Sequence, residues 1–287
     1  MAPRRRRSGI VSFVFLAILA LVGGVIFAVW RGAGPLPDPA GCKANVAGRE
    51  VDLDPDQGRN AALIAAIAVH RGLPARAASI ALATAFQESK IRNLPGGDRD
   101  SVGLFQQRPS QGWGSAAEIM NESYSINKFY DALVRIDGYE TMRITDAAQK
   151  VQRSGFPEAY QPHAPDARAL ASALTGYSPG GTFTCVVHTP SGHGTATAVT
   201  SSLQGAFGTD LAVERTGARQ DVTVPVGSGT DGNRRGWSVA GYLVAYGGQL
   251  KIESVAFDGK IWRSGRASEK GWTSSGASSD RVAVTLR

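Results

Sequence analysis

Cysteine and histidine are scarce, with two and four in 287 residues. Cys42 and Cys185 are far apart in sequence and have no histidine close by to complete a tetrahedral ligand set, which argues against a zinc centre. His188 and His193 form an H-x4-H pair, again without a third ligand. No metal and no cofactor are therefore expected. The two cysteines have only each other to pair with. Outside the cytosol a disulfide is the reading, with two unpaired thiols as the alternative. A strong excess of one charge is also missing. The formal charge is +7, but four of the positives are the run Arg4-Arg5-Arg6-Arg7, and the remainder is mildly basic. The pI of 9.6 is thus no sign of nucleic-acid binding. A basic face suits an anionic cell wall or membrane surface equally well. No internal repeat is found.

The chain does have one long apolar run. Residues 10–30 read IVSFVFLAILALVGGVIFAVW without a charge. At about 1.5 Å per residue such a helix would cover the ~30 Å hydrocarbon core. The apolar region of a cleaved secretory signal, the alternative, is typically about 7–15 residues. Arg4–Arg7 precede the run and only Arg31 directly follows it, so positive-inside reasoning predicts a single-pass membrane protein. Residues 1–9 would be a cytoplasmic basic tail and the bulk would be extracytoplasmic. One span cannot form a transport pathway alone, which argues against a transporter.

Residues 31–41 are Pro/Gly-rich and read as a linker. Asp54-Pro55 marks a helix start and Gly72 its end, and Leu73-Pro74 opens a second helix running to about Glu88 or Ser89. Glycines between 93 and 114 predict a loop or short hairpin. Helical patterns resume over 116–120, 124–135, 147–153 and 165–174. Residues 42–187 are thus expected to form a mainly-α domain. Residues 188–205, rich in Thr, Ser and Gly, read as a second linker. Strand-like alternation at 211–214 and 221–226, a helix over 236–247 and strands at 251–257, 260–262 and 282–286 predict a small α+β domain over 206–287.

The stretch that carries chemistry is Ala85-Phe86-Gln87-Glu88-Ser89, followed by Gly103-Leu104-Phe105-Gln106-Gln107-Arg108-Pro109. A carboxylate at the end of an apolar helix is partly shielded, and shielding favours the protonated form that a glycosidase acid needs. The Gly-rich excursion after it could wall a sugar cleft. Trp113, Tyr124 and Tyr130 could stack on sugars or simply pack.

This stretch resembles the soluble lytic transglycosylase and goose-type lysozyme families, in which a catalytic Glu followed by Ser precedes a Gly-Leu-Met-Gln motif with a nearby Pro. Here Glu88-Ser89, Gly103-Leu104-Phe105-Gln106 and Pro109 match, with Phe105 in place of Met. The resemblance covers roughly residues 57–175 and implies a lysozyme-like fold. More closely, the segment through QQRPSQGWG looks like the lysozyme-like domains of membrane-anchored, exported actinobacterial proteins. By the resemblance Glu88 is the general acid/base, Gln106 lines the cleft and Ser89 supports the Glu or contacts substrate; Gln87 and Tyr160 are further substrate-binding candidates. Asp98 and Asp100 stand where goose-type enzymes carry secondary acids, though turn residues fit them as well. The family's later Ala-Tyr-Asn motif is absent. Ala147-Ala148-Gln149 and Val151-Gln152-Arg153 occupy that region, with Gln149 a further cleft candidate.

The C-terminal region resembles a cell-wall-associated domain that ends in a His-rich, metal-binding strand. In this chain the aligned positions are Ser278-Ser279-Asp280-Arg281-Val282-Ala283-Val284. Arg and Ala cannot replace histidine as zinc ligands, so this copy is expected to be non-catalytic.

The expected activity is cleavage of the MurNAc–GlcNAc bond of peptidoglycan glycan strands by a lytic-transglycosylase-like mechanism with a single catalytic Glu. The alternatives are a non-catalytic peptidoglycan-binding module or an envelope-assembly component with protein partners of unknown identity. The expected partners are the glycan strands and, through one helix, the cytoplasmic membrane; nucleic acid is not expected.

Overall fold

The computed structural model describes residues 7–30, 37–156, 158–217 and 221–287, and divides them into two units, one up to Pro39 and one from Ala40 to Arg287. The first unit contains a helix, α1 (Arg7–Trp30). Among the described residues no helix is long and apolar enough to cross a membrane. This corrects the expectation of a transmembrane anchor at 10–30 and of a single-pass membrane location. Residues 1–6, in the expected cytoplasmic tail, and 31–36, in the expected first linker, lie outside the described residues.

The second unit opens with a hairpin that periodicity did not reveal, β1 (Gly41–Val46) and β2 (Arg49–Leu53). Ala47 and Gly48 turn it, both at positive φ, as a two-residue hairpin turn requires. Next come α2 (Pro55–His70) and α3 (Ala75–Ser89). Pro55 occupies the first turn of α2, and the Asp54 backbone N–H donates to Gln57 Oε1 at 2.8 Å. Both helices bury alanine-rich faces, and Ala61, Ile64, Ala65, Ala78, Ile80, Ala81 and Leu82 are fully inaccessible. Small residues let helices approach closely. The Gly-rich excursion follows, held by isolated bridges Leu94–Gly103 and Val102–Gln107. Then come α4 (Ala116–Ile119), α5 (Glu122–Leu133), α6 (Ile144–Gln152), α7 (Ala164–Leu174) and β3 (Phe183–Val186).

β3 returns beside β1 in the antiparallel order β2-β1-β3, with Cys42 registered opposite Cys185. The two form a disulfide that closes a sequence separation of 143. Gly58 of α2 lies against it, since a Cβ at that position would come within 2.5 Å of Cys42 Sγ. The bridge fits an oxidising compartment.

The expected second linker is instead partly a helix, α8 (Ala196–Phe207), which buries Ala196, Val199, Leu203, Ala206 and Phe207 along one side. After it come β4 (Glu214–Thr216), which starts later than expected, β5 (Asp221–Pro225), α9 (Gly229–Ala245), β6 (Ile252–Phe257), β7 (Lys260–Arg263), β8 (Thr273–Ser274) and β9 (Arg281–Leu286). Their antiparallel sheet has the order β4-β5-β9-β6-β7-β8. It is not a separate module. α9 packs on α2 and α7, Trp262 Nε1 donates to Cys185 O at 2.9 Å, and Trp272 Nε1 donates to Phe183 O at 2.9 Å. One hydrophobic core runs through all of it. With 47% helix and 17% strand, the described residues are mixed α/β rather than a mainly-α domain with a small appendage. The expected boundary failed because the apolar faces of α2 and α9 cover each other, so neither half is closed without the other.

Candidate active site

Glu88 occupies the last turn of α3, where the helix ends in an unusual way. Lys90 and Ile91 are both left-handed, at φ +55° and +57°. A β-branched residue there costs about 1–2 kcal/mol. Tertiary contacts hold it. The Ile91 side chain is fully buried, and the terminal carbonyls of Lys90 and Ile91 accept from Gln57 Nε2 and Asn60 Nδ2 of α2, each at 2.8 Å. Strain kept in place by its surroundings is a feature of functional sites.

The half-buried Glu88 carboxylate receives two hydrogen bonds on one oxygen. Tyr160 Oη donates to Oε1 at 2.8 Å and Gln152 Nε2 donates to the same atom at 3.2 Å. Among the described residues no hydrogen bond reaches Oε2. Tyr160 is fully buried. Burial pushes its phenol well above the ordinary range, against a hydrogen bond from Ser154 that acts the other way, and so keeps it a donor. Gln152, the last residue of α6, also donates to the Phe105 carbonyl at 2.8 Å. It thereby ties Glu88 to the Gly-Leu-Phe-Gln loop. Gln152 further lines a cleft of about 600 Å³ with Gln111, Trp113, Arg135, Lys150 and Arg153.

The other candidates separate on geometry. Ser89 is buried and accounted for: its hydroxyl bonds the carbonyls of Leu104 at 2.7 Å and Ala85 at 3.1 Å and accepts from Arg92 N at 3.2 Å. It pins the loop to the helix, and the expectation that it contacts substrate does not fit. Gln106 is wound into its own loop, its Oε1 accepting from Ser101 at 3.0 Å and its Nε2 donating to Gly103 O at 3.2 Å. Gly97 makes room for it, since a Cβ there would overlap Gln106 Oε1. Gln87 is exposed and bonded to His163 Nε2 at 3.1 Å, with the imidazole stacked on Phe86. Gln149 pairs with Ser154 instead of lining the cleft.

The secondary acids differ from each other. Asp98 is exposed beside Arg99. Asp100 uses both oxygens. Oδ1 accepts from Arg108 Nε at 2.8 Å and Ser110 Oγ at 3.0 Å, and Oδ2 accepts from Ser110 N at 2.7 Å. The Arg108 guanidinium and the Ser110 amide hold this carboxyl far below the usual carboxylate range. It is a loop fastener and not a free base. Of the aromatics, Tyr130 is core, donating to Ile64 O at 2.9 Å, and Tyr124 packs on Gly114 with Lys128 over its ring. Only Trp113 faces the cleft.

Sequence reasoning missed Gln152. Its one signal was its place in the segment where the resembled families carry Ala-Tyr-Asn.

No family model and no curated protein matches this chain. The functional reading therefore rests on the geometry around Glu88. At the C-terminal strand, the aligned positions hold Asp280 paired with Arg281 at 3.0 Å, and no metal-binding cluster of His, Cys, Asp or Glu occurs among the described residues.

Proposed function

We propose that the protein cleaves the MurNAc–GlcNAc bond of peptidoglycan glycan strands, with Glu88 as the sole acid/base. The observation that carries this reading is the pair of neutral donors on Glu88 Oε1. Tyr160 and Gln152 fix the carboxyl plane and leave Oε2 as the atom that holds and delivers a proton. In the first step Oε2 protonates the glycosidic oxygen as the C1–O bond breaks. In the second, the carboxylate accepts the proton of the same sugar's 6-hydroxyl as that oxygen bonds to C1. The product is a 1,6-anhydro sugar, and Glu88 regains its proton. No second carboxylate is needed, which agrees with Asp100 being fully engaged elsewhere. A hydrolase of the usual kind would instead use a second carboxylate as base or nucleophile.

The test uses the full chain, oxidised, because residues 42–187 share their core with α9. It is incubated with peptidoglycan and the soluble products are weighed, with Glu88→Gln alongside. Anhydro-muropeptides that vanish in the variant are expected. Reducing ends would make the enzyme a hydrolase. Wall binding without any product from the parent chain would replace the enzyme reading by a glycan-binding one.

A further inference from the structure

The cleft that Gln152 borders is lined by three cations and no acid. Arg135 follows α5, Lys150 lies on α6, and Arg153 caps the C-terminus of α6 in a left-handed conformation at φ +51°. All three are exposed, and none forms an ion pair among the described residues. Arg49, Arg71, Arg92, Arg108, Arg143, Arg234 and Arg281, by contrast, each bond a carboxylate. In a second cleft of about 530 Å³, Arg234 is neutralised by Asp231. Cations at a helix C-terminus complement its dipole, which accounts for Lys150 and Arg153 one at a time. It accounts equally for Arg135, two residues past the end of α5, but not for the convergence of all three cations on one space. Like charges gathered without a counter-ion raise one another's energy, and an anionic ligand relieves this. Trp113 supplies an apolar wall on which a sugar face can lie.

Resting on the reading of Glu88 as a glycan-cleaving acid, we infer that Arg135, Lys150 and Arg153 bind carboxylates of the peptide side chains on the glycan, so that the enzyme selects peptide-substituted strands over bare ones. Gln152 couples the two functions, since it borders this cleft and holds Glu88.

The test measures binding to the full chain carrying Glu88→Gln, so that no probe is consumed. Four probes are compared: peptide-substituted glycan fragments, the same fragments with carboxylates amidated, neutral N-acetylglucosamine oligomers, and poly(glycerol phosphate). The intact fragments should bind best, and added salt should weaken them. Arg135→Ala and Lys150→Ala should each weaken them about fivefold without altering thermal stability. The amidated and neutral probes should bind more weakly and ignore both substitutions. Equal binding of intact and amidated fragments would overturn the inference and leave the Glu88 reading standing. Preference for poly(glycerol phosphate) would assign the cations to phosphodiesters and also overturn it. Binding of none of the glycans would remove both.

Discussion

Two carboxylates twelve residues apart meet opposite fates. Glu88 ends an apolar helix, half-buried, and takes hydrogen bonds from a phenol and an amide on a single oxygen. Asp100 sits in the Gly-rich loop and takes a guanidinium, a backbone amide and a hydroxyl across both oxygens. Neutral donors orient a carboxyl and leave it an oxygen with which to exchange protons. A guanidinium locks it in the charged form. Side-chain type cannot tell a proton donor from a fastener; the neighbours do.

The largest break of this comparison is removal of the acid. Glu88→Gln should lower turnover by about 10²–10⁴-fold, the range for general acid–base groups, while Asp98→Asn and Asp100→Asn stay within a few-fold of the parent. Product release followed by mass decides it, and a loss at Asp100 equal to that at Glu88 would reverse the assignment. Next in size is the disulfide that joins β1 to β3. Cys42→Ser with Cys185→Ser should destabilise the fold by about 2–5 kcal/mol, read from denaturant midpoints. An unchanged midpoint would mean that the strand pairing alone holds β1 to β3.

Tyr160→Phe sharpens the Glu88 side. It keeps the buried ring and removes one donor, so kcat should fall about tenfold with little change in KM or melting temperature. Ser89→Ala should do the reverse, costing about 1–2 kcal/mol of stability by leaving buried groups without a partner while activity per folded molecule survives. A fall in activity at unchanged stability would return Ser89 to the substrate. The smallest effect concerns Asp100 in acid. Its folded pKa lies below its unfolded value of about 3.9, so its contribution is present above pH ~4 and lost as pH falls through the folded value. Melting curves of the parent and Asp100→Asn should therefore converge at low pH. A constant gap between them would mean that the Asp100 charge is not what holds the loop.

Much of this was legible in the residues. Asp54-Pro55, Gly72 and Pro74 punctuate α2 and α3 where the structure has them, because caps and breakers act within one turn. Two cysteines with no other possible partner left one disulfide pairing. Other features were hidden. α8 lies in a Thr/Ser/Gly-rich stretch that reads as linker by composition, although Val199, Leu203, Ala206 and Phe207 keep a helical spacing that composition masks. The division into two domains failed because periodicity shows that α9 has an apolar face but not what covers it.

By itself the sequence determined that Glu88 would stand at the partly shielded end of an apolar helix, before a Gly-rich loop. Those are local matters, decided by side-chain size, caps and φ. Only the tertiary structure decided what the carboxyl can do. Gln152 and Tyr160 reach it across 64 and 72 residues of chain, and the cations of the cleft that Gln152 borders come from the C-terminal ends of two different helices. Such pairings follow from how helices pack, a balance of buried area over the whole unit that no short window of residues contains.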